Sequence, residues 1–275
     1  MTATNDAQRT ARRAAHSDAL EVPTRIGFIG YGLLHLVVGW LAVQIAFGHT
    51  SQEGDQAGAF RLLAGQPFGR VLLIVVVAGL AAMTVWQLLL AAAGHRAERG
   101  FRRTVERLAS LGRAVIYAAL AWTAGRVVAG DSTSKAAQQQ KATAGMMAHA
   151  GGRWLVGLAG LAVLILGVGF VVYGARGMFE KRLRIAEMSP AARRAARWLG
   201  RIGYVAKGVA FAIVGLLLAD AALTDNPARS RGLDAALRTL AAQPYGVVLL
   251  TVVAIGFAAF GVYCLFQVRY RKMSA

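Results

Sequence analysis

The sequence predicts an all-α, polytopic membrane protein of six transmembrane helices arranged as three tandem helical hairpins. Three observations carry this. Of the 275 residues, 56% are hydrophobic and only 16% charged, with a mean hydropathy of +0.49. The apolar residues cluster into stretches of about 20, the length that crosses a bilayer core. A helix-start signature also repeats: Arg25-Ile26-Gly27-Phe28 returns as Arg201-Ile202-Gly203-Tyr204, with Arg107-Leu108-Ala109-Ser110 in the same frame between them. A second marker, Gln66-Pro67-Phe68-Gly69, returns as Gln243-Pro244-Tyr245-Gly246, and its middle copy is degraded to His149-Ala150-Gly151-Gly152. A period of about 80 to 90 residues with two apolar stretches per unit is the mark of a tandem array.

Taken in order, residues 1–24 are polar, carry Arg9, Arg12 and Arg13, and read as a basic, disordered cytoplasmic arm. Repeat 1 covers 25–97, repeat 2 covers 106–178 and repeat 3 covers 200–270. Within them the spans fall near 26–47, 69–93, 108–129, 154–175, 202–223 and 246–267. Each is long enough at about 1.5 Å per residue to cross about 30 Å. Only helices satisfy the backbone of such single segments in lipid. The first is too long for a signal-peptide core and reads as a retained helix.

The connections divide by charge. Four basic residues precede the first span, five lie at 96–107, eight at 176–201 and three at 269–272. Nine lie on the other side, from Arg61 to Arg238. The excess of Lys and Arg places both termini in the cytoplasm of a bacterial cell (inner) membrane. The outer connections hold short helices, Asp55–Gln66 and Asp234–Gln243, with Arg61 aligned to Arg238. Pro67 and Pro244 then open the return spans, where a missing N–H costs nothing. Ser134–His149 is the more polar middle equivalent.

Two columns carry the unequal residues. One or two turns inside each odd span stand Tyr31, Arg113 and Lys207; one turn deeper stand His35, Tyr117 and Phe211. A charge in the bilayer costs roughly 2.5–3.5 kcal/mol on insertion scales. Six residues past the entry arginines is about 9 Å, within snorkelling range. Tyr31, His35, Arg113 and Lys207 are therefore a candidate polar or lipid-headgroup site, read either as snorkelling anchors or as a polar cluster inside the bundle. Three parallel copies point to pseudo-threefold packing, with the odd spans lining the centre. His35 is an aromatic packing position or a proton-responsive group. Asp220, near the outer end of the fifth span, is a surface or helix-end residue, or part of a polar path. Glycines in the first, fourth and fifth spans let helices approach closely. Trp40, Trp122, Trp154 and Trp198 read as interface anchors or packing.

Several classes are excluded by pattern. The net charge of +18 comes with no base-reading motif, so anionic lipid headgroups, not nucleic acid, are the expected partner. One cysteine, Cys264, rules out an intrachain disulfide, and the five histidines show no metal-ligand spacing. No Walker loop, metalloprotease helix or nucleophile elbow is present, and His35 has no axial partner for haem. No cofactor and no catalytic residue is expected.

The three helix pairs, the Arg-Ile-Gly-(Phe/Tyr) starts and the Gln-Pro-(Phe/Tyr)-Gly returns resemble the actinobacterial membrane family called domain of unknown function 1206, over about residues 24 to 270. The resemblance implies three tandem two-helix repeats. It brings no reaction and no site residues. The function expected is non-enzymatic: structural, lipid-organising or partner-binding. The alternative is a small transporter or channel with a polar site on the cytoplasmic side; an enzyme acting on lipid is the weakest reading, for want of acid–base pairs.

Overall fold

A computed structural model describes residues 18–50, 52–93, 100–131 and 133–271. Residues 1–17 of the predicted arm, with Arg9, Arg12 and Arg13, lie outside the described residues, as do Arg96, Arg99 and Lys272. Nine α-helices are present among the described residues: α1 (Asp18–Ala46), α2 (Gln56–Ala64), α3 (Gly69–Ala93), α4 (Gly100–Val128), α5 (Lys135–Met147), α6 (Gly152–Ala175), α7 (Pro190–Thr224), α8 (Gly232–Ala241) and α9 (Gly246–Tyr270). The first helix begins at Asp18, so the last residues of the predicted arm are helical.

Six helices, α1, α3, α4, α6, α7 and α9, are long and apolar enough to cross a membrane. The chain is a polytopic membrane protein built from three two-helix units. Both the start of α1 and the end of α9 lie at one end of the bundle, the terminal end. The helix α7 runs about three turns further out at that end than its first-repeat counterpart's apolar stretch, starting at Pro190 with Ser189 as its N-cap.

The packing is pseudo-threefold. The second long helix of each repeat lies against the first of the next: α3 on α4, α6 on α7 and α9 on α1. At α9 on α1 and α6 on α7 the same positions make the contact. A Cβ on Gly32 would fall 2.8 Å from the Gly261 carbonyl oxygen, and one on Gly208 would fall 2.6 Å from that of Gly167. Seven residues on, Gly39 meets Ala254 and Gly215 meets Gly160 in the same way. The seven-residue spacing keeps each stripe on one face of its partner, and close approach replaces the hydrophobic drive that lipid does not supply. Within repeats, α1 packs on α3 and α7 on α9. The third such junction, between α4 and α6, is open among the described residues. Six helices therefore follow one another as α4, α3, α1, α9, α7, α6, a ring with one gap.

The other end is roofed by α2, α5 and α8. Their starts are tied across repeats. Gly54 N–H donates to buried Asp234 (2.9 Å), and Glu53 accepts from Ser134, the N-cap of α5. Arg61 donates to the Thr133 carbonyl (2.9 Å), and its repeat equivalent Arg238 donates to that of Gln52 (3.1 Å). Asp55 caps α2 by accepting from the Ala57 and Gly58 amides, although burial raises its carboxyl above the ordinary value. At the α4–α5 turn Asp131 is held down to about 2, first by the Thr133 hydroxyl and amide and then by Arg126. Asp220 pairs with Arg229 at the surface near the end of α7 (2.5 Å). Trp40, Trp122, Trp154 and Trp198 are all exposed on the outside of the bundle.

Candidate functional site

The three odd helices meet around Tyr31. From α7, the Lys207 ammonium donates a hydrogen bond to the Tyr31 hydroxyl at 2.6 Å. From α4, the Tyr117 ring stands edge-on to Tyr31 with centroids 5.6 Å apart. Each residue comes from the same region of its own repeat, so pseudo-threefold packing is what brings them together.

Lys207 is 9% exposed and does not reach toward the headgroups. Its Nζ lies 4.6 Å from the Phe260 ring centroid, 5.0 Å from Tyr31 and 5.6 Å from Phe170. Three ring faces and one hydroxyl hold it, and no carboxylate pairs with it among the described residues. Ring faces attract a desolvated cation by about 2 kcal/mol, comparable to the cost of placing a charge in the bilayer.

His35 sits one turn deeper. Its Nδ1 is 2.8 Å from the Tyr31 carbonyl oxygen, and its ring packs on Tyr31 (4.5 Å) and Phe260 (4.6 Å). A carbonyl oxygen only accepts, so Nδ1 carries a proton and donates to the helix backbone.

Arg113 occupies a neighbouring position and takes different partners. Its Nε donates to Gln87 Oε1 (3.1 Å) and its Nη2 to Ser110 Oγ (2.8 Å). Tyr31, His35 and Lys207 thus form one buried group, with Arg113 beside it on the α3–α4 side.

Three residues outside the candidate set complete the region. Arg271, at the end of α9, is 9% exposed; it donates to Gln267 and lies over the rings of Phe28 (4.7 Å) and Trp86 (5.2 Å). Arg182 follows α6 and pairs with Glu106 of α4 at 3.5 Å. Gln87 is fully buried, and its Nε2 has no hydrogen-bond partner. Arg113, Arg182 and Arg271 share one electrostatic neighbourhood with Tyr173 and Glu106. Three guanidinium groups and one carboxylate, Glu106, thus fall together at the terminal end of the core. Aligning the return spans on Gly69, Gly152 and Gly246 would have revealed part of this: Gln87, Phe170 and Cys264 are one column. No group of three or more potential metal ligands occurs among the described residues.

A family model described as Domain of Unknown Function (DUF1206) matches three times, at residues 26–94, 108–177 and 202–271. The chain is 30% identical over 254 residues to "Uncharacterized protein YxxB" of Bacillus subtilis (strain 168), covering 91% of this chain and 90% of that protein. No solved structure matches.

Proposed function

We propose, for a chain that belongs to the Domain of Unknown Function (DUF1206) family, a non-enzymatic role as a lipid-organising protein of the bacterial cell (inner) membrane. Both termini lie in the cytoplasm in this reading, and the terminal end of the bundle engages anionic headgroups of the inner leaflet. The observation that carries it is the basic extension of α7 before its apolar stretch. Arg193 and Arg194 are exposed there, and Trp198 is exposed one turn further with the Arg201 guanidinium 6.0 Å from its ring centroid. An exposed Trp marks headgroup depth, and basic residues beside it attract anionic lipid by about 1 kcal/mol each. Arg197 is engaged by Glu180 through two hydrogen bonds (2.8 and 3.0 Å), which fixes the α7 start against the preceding loop.

The test is the lipid shell that copurifies in mild detergent from membranes of mixed composition. The wild type is expected to be enriched in phosphatidylglycerol over phosphatidylcholine, and R193Q/R194Q is expected to lose most of that enrichment. An unchanged shell in the double variant refutes the reading.

A small transporter or channel with its polar site around Lys207, Tyr31 and His35 is the second reading, favoured by the buried cation. The rings packed around Lys207 weigh against an aqueous route. Flux in proteoliposomes that falls in K207M would restore it.

A further inference from the structure

The gap in the ring has a specific origin in the middle repeat. Between α1 and α3, Phe28 and Trp86 meet edge to face at 6.4 Å. Between α7 and α9, their repeat equivalents Tyr204 and Tyr263 do the same at 5.8 Å. The middle copy of this pair is Ser110 and Gly169. Both rings are missing where α4 and α6 would meet.

The backbone crossing is altered too. A Cβ on Gly27 would fall 2.5 Å from the Gly79 carbonyl oxygen, and one on Gly203 would fall 2.6 Å from Phe260 Cα. The middle copies of Gly27 and Gly79 are Ala109 and Ala162, which carry the methyl groups that such a crossing excludes. Gly112 and Gly169 face nothing within 4 Å, whereas Gly30, the first-repeat copy of Gly112, meets Val76. The opening is thus a property of the sequence: rings removed from the junction and bulk added at its closest approach.

The walls of the opening are apolar residues whose copies are buried elsewhere. Ile116 is 48% exposed, while its equivalents Leu34 and Ala210 are 4% and 1%. Leu166 is 57% exposed, against 2% for Phe260. At the terminal end the wall becomes polar. There Arg113 projects from α4, the buried Gln87 Nε2 lacks an acceptor, and the Tyr173 hydroxyl of α6 also lacks a partner. Arg182 and Glu106 join the two sides of the opening. Donors at one end and an apolar slot above them match an amphiphile with an anionic head. A second copy of this chain would bring further cations to the same place and leave Gln87 unanswered.

We propose that the opening between α4 and α6 seats one anionic phospholipid, its phosphate held by Arg113 with Gln87 and closed over by Arg182, and an acyl chain lying along Ile116 and Leu166. This rests on the anionic-lipid reading above but assigns it a separate site. The anionic phosphate group is the shared chemistry, so inorganic phosphate is the other possible source. Glu106 competes with the lipid for Arg182.

The experiment uses the full-length protein, stripped progressively in neutral detergent and weighed by native mass spectrometry with phosphatidylglycerol, phosphatidylcholine or inorganic phosphate added. Wild type is expected to retain one phosphatidylglycerol after the remaining lipid is gone. R113Q should weaken that last lipid about tenfold, the factor that corresponds to one lost charge-assisted contact. G169W, which puts a ring into the opening where Gly169 has nothing within 4 Å, should lose it while melting close to the wild-type temperature. E106Q, which frees Arg182, should retain it longer, and decides the matter if the ring variant fails to fold. R193Q/R194Q should keep the last lipid and lose only the earlier, weakly held ones. That contrast separates the site from the rim: loss in the rim variant alone overturns the site, and loss in R113Q alone overturns the rim. Equal retention of phosphatidylcholine, displacement by millimolar inorganic phosphate, or a dimer in place of the bound lipid would each overturn the proposal.

Discussion

Tyr31→Phe removes a single oxygen and is the most direct probe of what holds the first and third repeats together at the core. Among the described residues the Tyr31 hydroxyl is the one hydrogen-bond acceptor of Lys207, at 2.6 Å and buried. A hydrogen bond from a charged group contributes about 1.5–3 kcal/mol in soluble proteins. Cycles between membrane helices average about 0.6 and reach about 1.7 kcal/mol, because the unfolded chain in lipid also finds partners. The short distance and the enclosing rings place this bond near the upper end, about 1.5 kcal/mol. The three ring contacts remain in Y31F, so the cost should not approach that of an unpaired buried charge, about 3–5 kcal/mol. In K207M no donor remains, and the same Tyr31→Phe change should cost under about 0.5 kcal/mol. Reversible unfolding in mixed micelles, measured for wild type, both single variants and the double, gives the coupling directly. A coupling below about 0.5 kcal/mol would show that the bond contributes nothing and that ring packing alone sets the geometry.

Other outcomes follow from single contacts. Gly167 lies under the backbone of α7 and Gly169 faces open space; Gly167→Leu should cost about 3 kcal/mol or more through overpacking and release α6 to proteolysis, whereas Gly169→Leu should leave the melting temperature within about 2 °C. In the roof, Asp234→Ala strands the Gly54 amide and leaves Arg238 its bond to the Gln52 carbonyl, a loss of about 1–3 kcal/mol, read as faster hydrogen exchange at residues 54–58 with the long helices unaffected. The Asp131 carboxyl titrates near 2 in the folded protein against an ordinary 3.8. Its stabilisation is therefore complete above about pH 4 and is lost as pH falls through about 2. Exchange at the α4–α5 turn should rise over that window in wild type and be flat in D131N.

The repeat architecture could be read from the sequence because its signals are local. Arg-Ile-Gly starts, Gln-Pro-(Phe/Tyr)-Gly returns and 20-residue apolar stretches each report on one helix and its ends. The short roof helices were legible for the same reason, through Arg61 and Arg238. The meeting of Tyr31 and Lys207 could be anticipated from the repeat frame alone, since equivalent positions on the odd helices converge wherever packing is threefold. Arg113 shows where that logic stops: it shares the column but takes Gln87 and Ser110, partners set by which side of the ring α4 occupies. Arg271 was hidden more thoroughly. Sequence position puts it in a basic tail at the membrane surface, and only the fold lays it across Phe28 and Trp86 of another repeat. Charge patterning counts such a residue toward topology and cannot see the rings beneath it.

Divergence among the three repeats is concentrated at one kind of contact. Two of the three junctions between repeats, α6 on α7 and α9 on α1, reuse small residues at equivalent heights, where larger side chains would separate helices that lipid does not push together. The junctions within repeats rely on a pair of rings, and a ring pair can be lost from one repeat without disturbing the other five contacts. Replacing it by Ser110 and Gly169 opens the ring of helices at a single place while α4 and α6 remain anchored on α3 and α7. The cations at the same end need the opening: Arg113 with its neighbour Gln87 stands beside it, and Arg182 with Glu106 bridges it. A symmetric bundle with three ring pairs would close over those groups. The break in symmetry and the cations at its edge thus lie at one place, and under the proposal above a variant that closes the ring should lose its lipid as it gains packing.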